Sequence, residues 1–111
     1  MGKFVLSLLA LAFTLPANAQ VLANSALDGN QVLTACTSAK THDYCIGYVT
    51  GVVDGIFYAE GTKQHICPEP GVLTQQVRDV VINYLKAHPE HRHAGAAGLV
   101  FNALYEKFPC R

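Results

Sequence analysis

Four cysteines, Cys36, Cys45, Cys67 and Cys110, have the widest chemical range of any residues in this chain. A thiolate can attack a carbonyl, exchange with a disulfide or ligate a metal, and two thiols can oxidise to a covalent staple. Spacing narrows the choice. No Cys-x-x-Cys occurs, which removes thioredoxin-like exchange and haem attachment. An even cysteine count in a short chain matches a paired framework wherever the compartment oxidises thiols. The N-terminus indicates such a compartment. Lys3, an apolar run from Phe4 to Leu15, Pro16 and Ala17-Asn18-Ala19 read as a secretory signal over residues 1–19, cut before Gln20. The apolar run is about a dozen residues, short of the roughly 20 that span a hydrocarbon core. Every cysteine is therefore expected to be bridged, with no thiol left as a nucleophile.

The other chemically versatile group is His88, His91 and His93, whose imidazoles on a short connector resemble the start of a Zn or Cu site. Positions 91 and 93 flank Arg92, a helix start nearby adds positive dipole, and no cysteine is free to complete the set. The cluster reads as a partner-contact surface, and no metal or cofactor is expected. The sequence holds no Walker-type glycine loop, no His-Glu-x-x-His and no Gly-x-Ser-x-Gly. These residues point away from an enzyme.

The chain has 111 residues, eight Lys and Arg, and eight Asp and Glu. Loss of Lys3 with the signal leaves a balanced mature domain, residues 20–111, without a basic field to hold a phosphate backbone. Nucleic acid is excluded as a partner on that ground. Charged and polar residues interrupt the later apolar segments, so no membrane span is expected after the signal. About 90 residues suffice for one small core, in which disulfides commonly supplement limited burial.

The elements that must carry these side chains are helical. From Leu73 to Ala87, the residues Leu73, Val77, Val80, Val81, Tyr84 and Leu85 fall on one stripe of a 3.6-residue period. A second helix is predicted from Ala94 to Phe108, stopped by Pro109. A shorter one, carrying Val32, Leu33 and Cys36, starts at Asp28 or Asn30, either of which can cap it. The fourth, Asp43 to Ala59, holds Gly47, Gly51 and Gly55 on one face, each costing about 1 kcal/mol relative to Ala. Close approach of a neighbour, the small-residue run Ala94 to Gly98, is the expected compensation, with Gly47, Tyr48, Gly51, Asp54 and Gly55 as structural residues. Asp54 is expected to be partly buried and hydrogen-bonded. The fold class is all-α: a small, disulfide-stapled bundle of about four helices.

Four cysteines allow three connectivities. An antiparallel order brings the end of the first helix to the start of the second, and the start of the third to the end of the fourth. It favours Cys36–Cys45 and Cys67–Cys110, loops worth about 3 and about 4 kcal/mol in chain entropy.

The stretch Cys45-Ile46-Gly47-Tyr48-Val49-Thr50-Gly51-Val52-Val53-Asp54 resembles the C-x-G-Y-x-x-G-x-x-D signature of the Rap/Tai family of type VI secretion immunity proteins. Cys67-Pro68, Gly71-Val72, Gln75, Tyr84-Leu85, Pro89, Arg92-His93, Ala103-Leu104 and Phe108-Pro109-Cys110 extend the resemblance over nearly the whole mature chain. It departs at Gly95, where relatives often carry proline.

The resemblance implies a mostly helical periplasmic protein, often a homodimer, that binds and blocks a peptidoglycan amidase effector injected by a competitor. No chemistry is then asked of the chain itself. Exposed connectors are the plausible plugs: residues 60–69, with Lys63, Gln64 and His65, and residues 88–93, with His88, Glu90, His91 and Arg92. Two readings compete with it. Five histidines suit an acid-responsive periplasmic chaperone, and a small scaffold of this kind also suits an envelope adaptor.

Overall fold

The computed structural model describes Gly2 and residues 26–111, so the signal expected over 1–19 lies, but for Gly2, outside the described residues. Four helices follow one another: α1 (Gly29–Thr37), α2 (His42–Glu60), α3 (Thr74–Ala87) and α4 (Ala96–Lys107). Short 3-10 turns, Ala39–Thr41 and Pro89–His91, introduce α2 and follow α3. No strand forms among the described residues, only two isolated bridges. α2, α3 and α4 each fall within about two residues of the span expected from sequence, and α1 begins just after Asp28, one of its two expected caps.

Local chemistry explains the ends. Asp28 caps α1 by accepting from the Gln31 N–H at 2.9 Å, while Gln31 Oε1 accepts from the Asp28 N–H at 2.9 Å. That reciprocal pair satisfies two donors at the helix start. Gln76 Oε1 accepts from the Leu73 N–H at 2.7 Å at the head of α3. At its tail the Tyr84 carbonyl accepts from the His88 N–H at 3.1 Å and from His88 Nδ1 at 2.8 Å.

Nine residues make a helix too short to persist alone in water, so α1 depends on its attachments. Cys36–Cys45 joins it to α2, with the Cα atoms 4.9 Å apart. At its other end the Gly29 N–H donates to Ala94 O and the Asn30 N–H to Arg92 O, both at 3.1 Å, and the Ala96 N–H donates to Leu27 O at 2.8 Å. The entrances to α1 and α4 are thereby sewn together. Gly29 sits in that seam: a Cβ there would meet Leu99 Cδ1 at 2.6 Å, Arg92 O at 2.9 Å and Arg92 Cα at 3.0 Å. Gly95, at φ −58°, takes a conformation that proline also takes, so the departure from the family pattern leaves the entry to α4 intact.

The second bridge, Cys67–Cys110, closes the other end, beside the Ile66 and Pro109 bridge and a 2.8 Å bond from the Cys67 N–H to Phe108 O. Both pairings follow the expected element order. Val32, Val49, Ile66, Val81, Leu85, Leu99, Val100 and Leu104 form the core, with Cys36 and Cys45 buried among them.

The glycine face is where the structure overturns the sequence reading. Gly47, Gly51 and Gly55 are exposed, and a Cβ added at any of them meets nothing within 4 Å. α2 buries the opposite side, with Cys45 and Val49 innermost and Val53, Ile56 and Phe57 packed on the core. A rotation of 100° per residue then turns the three glycines outward, away from the Ala94 to Gly98 run. Asp54 is exposed too, and forms no hydrogen bond or ion pair among the described residues. The close approach supposed for these glycines occurs at Gly29 instead.

Candidate partner-binding surfaces

All four cysteines are in disulfides and no thiol is free. No group of three or more His, Cys, Asp or Glu among the described residues is placed to hold a metal ion. Among the described residues, two connectors and one helix face present exposed side chains that can engage another molecule.

The first connector leaves α2 at Gly61, whose φ of 56° favours glycine over any other residue. Gly61, Thr62, Lys63, Gln64 and His65 are all exposed, and the next residue, Ile66, is buried and pins the segment down. Glu60 clamps the loop from its base: Oε2 accepts from the His65 N–H at 3.2 Å, and Oε1 lies 3.1 Å from His65 Nδ1. The Lys63 N–H donates to Glu60 O at 3.0 Å. The Gln64 carbonyl lies 3.4 Å from Cys110 Sγ, a packing contact, because a disulfide sulfur has no proton to donate. The loop is thus presented by a carboxylate, a buried isoleucine and a covalent bridge. Lys63 and Gln64 at its tip are left to solvent.

The second connector runs from His88 to Gly95. Pro89 opens its 3-10 turn, where the missing N–H costs nothing. His88 is half-buried and stacks on Tyr84 with ring centroids 4.2 Å apart, and His91 stacks on His88 at 5.8 Å. Bonding of Nδ1 to the Tyr84 carbonyl requires the proton on that nitrogen, leaving Nε2 as the second ring nitrogen of a helix cap. The histidines thus form a ladder rather than converging on a point. Glu90 and His91 are exposed, 3.5 Å apart at Oε1 and Nε2. Arg92 is half-buried; its carbonyl ties to α1 while its Nε is enclosed without a partner among the described residues.

These positions form two separately braced loops rather than one pocket. Sequence reasoning had no signal for Glu60 as the clamp, because a carboxylate five residues before a histidine forms no recognised motif. It also passed over Tyr44 and Tyr58 of α2, which are 57% and 91% exposed. Their spacing, seven residues to either side of Gly51 and so on the glycine face, was the available clue. A recess of about 230 Å³ between α2 and α3 is lined chiefly by Val49, Val53, Phe57, Pro68, Val72 and Val77, with Thr50, Glu69 and Thr74 as its polar members.

No helix among the described residues is long and apolar enough to cross a membrane. A family model described as Rap1a immunity proteins matches residues 28–110. No curated protein and no solved structure matches.

Proposed function

The chain belongs to the Rap1a immunity protein family, and on that premise we propose that its mature form is a periplasmic, non-enzymatic inhibitor of a type VI secretion peptidoglycan amidase. It protects the cell by occupying the effector's catalytic cleft, and it acts as a homodimer. The observation that carries this reading is the family match over 28–110, which spans both disulfides and both connectors. Occlusion demands a rigid projecting surface, because ordering a loop on binding subtracts from affinity. The two braced connectors support that demand. The groups proposed to meet the effector are Lys63, Gln64 and His65 on the first, and Glu90, His91 and Arg92 on the second, with His88 positioning its own connector through the Tyr84 cap.

Peptidoglycan cleavage by a type VI amidase, with and without stoichiometric oxidised mature protein, tests the reading. Stoichiometric inhibition is expected, together with a loss of at least ten-fold in affinity when Lys63 to His65 or Glu90 to Arg92 are replaced by alanine. Cleavage unaffected by the protein would refute inhibition. Full affinity in both alanine sets would refute the choice of connectors.

A further inference from the structure

The two disulfides differ in what can reach them. Cys36 and Cys45 are 7% and 1% exposed and lie within the core, so a thiol meets their bridge only when the helices part. Cys67 and Cys110 are both exposed. Cys67 also lines a recess of about 420 Å³, whose other walls include Glu69, Lys107, Phe108 and Arg111. An exposed bridge of this kind is the labile class of disulfide, and an enclosed one the resistant class. We propose that Cys67–Cys110 is a thiol–disulfide exchange site, opened by a dithiol reductant in the folded protein while Cys36–Cys45 stays closed.

The recess sets the direction of attack, because Cys67 is the bridge residue that lines it. A thiolate of the reductant bonds to Cys67 Sγ as the bond to Cys110 Sγ breaks, and the electron pair leaves on Cys110. The second thiolate of the reductant then attacks the reductant's own sulfur in the mixed disulfide, and Cys67 departs with its electron pair. Both cysteines take a proton from solvent, the reductant's two protons go to solvent, and the reductant ends as a cyclic disulfide, oxidised by two electrons. Lys107 and Arg111 outnumber Glu69 in the recess, which favours both the incoming anion and the thiolate that leaves. The product also has a partner at hand. Gln64 O lies 3.4 Å from Cys110 Sγ, and a reduced S–H, unlike the disulfide sulfur, has a proton to donate to it. Opening removes the covalent member of the three supports of the first connector, leaving Glu60 and buried Ile66 to hold it. The redox state of this bridge is thereby coupled to the loop that carries Lys63 and Gln64.

Brief reaction of the oxidised mature chain with dithiothreitol in native buffer, quenched in acid and read by peptide mapping, tests the proposal. Chains with one open bridge are expected to have lost Cys67–Cys110 at least ten times as often as Cys36–Cys45. Equal opening of the two, or earlier opening of Cys36–Cys45, would overturn it. Reduced glutathione, a monothiol, marks the sulfur attacked first, and so locates the entry even where an opened chain goes on to unfold. Its mixed disulfide is expected on Cys67. An adduct found first on Cys36 or Cys45 would overturn the site, and one on Cys110 the direction of attack. Lys107→Gln combined with Arg111→Gln is expected to slow opening by dithiothreitol at least two-fold with melting unchanged; an unaltered rate would overturn the part given to the two cations. Failure of amidase inhibition leaves all three readouts unchanged.

Discussion

Two glycines of this chain invite opposite substitutions. At Gly29 an added methyl meets Arg92 backbone atoms at 2.9 and 3.0 Å, and these are held by the bonds that sew α1 to the entrance of α4. Gly29→Ala is expected to destabilise by roughly 1–3 kcal/mol through overpacking. Gly98, exposed on α4 with nothing within 4 Å, carries only the entropic cost of glycine in a helix. Gly98→Ala is expected to stabilise by about 0.5–1 kcal/mol. Urea midpoints of the two variants, taken where the protein is monomeric, check both signs. Composition counts the two residues alike; only what faces them differs.

The helices were legible in sequence because burial on one side imposes a period that few other arrangements share, as Val77, Val81 and Leu85 of α3 illustrate. The disulfide pairing was legible because helix order leaves each cysteine beside one junction. The direction of the glycine face was not, because residue spacing fixes which side chains share a face and says nothing of what that face meets. Apolar Val49, Val53 and Ile56 on the other side carried the answer. Contacts between distant segments, such as the Asn30 N–H to Arg92 O bond, left no local trace. Among the elements, the α3 and α4 pair depends most on its staple. Replacing Cys67 and Cys110 together by alanine is expected to lower stability by about 4 kcal/mol, chiefly by releasing a long loop in the unfolded chain. Thermal melts and far-ultraviolet dichroism of this double variant check the size of the loss and whether helix survives at low temperature.

Over the whole molecule, α2 separates the surfaces by task. Its inner side completes the core, its outer stripe faces solvent, and its C-terminal Glu60 holds the first connector. The connectors proposed to meet an effector thus share no residue with the outer stripe of α2.

The two bridges also divide the backbone into covalent rings, one closed by Cys36 and Cys45 and the other by Cys67 and Cys110. Arg92 lies inside the larger ring, whereas Lys63 lies on the single strand of chain between the rings. A protease that nicks the backbone after Arg92 leaves one covalently joined particle. The same cut after Lys63 leaves two pieces held only by packing. Limited trypsin digestion on non-reducing gels is expected to show the first nick as an unshifted band and the second as two fragments. The two connectors therefore differ in what an attack by proteases does to them: one survives a broken backbone, and the other is the chain's point of scission.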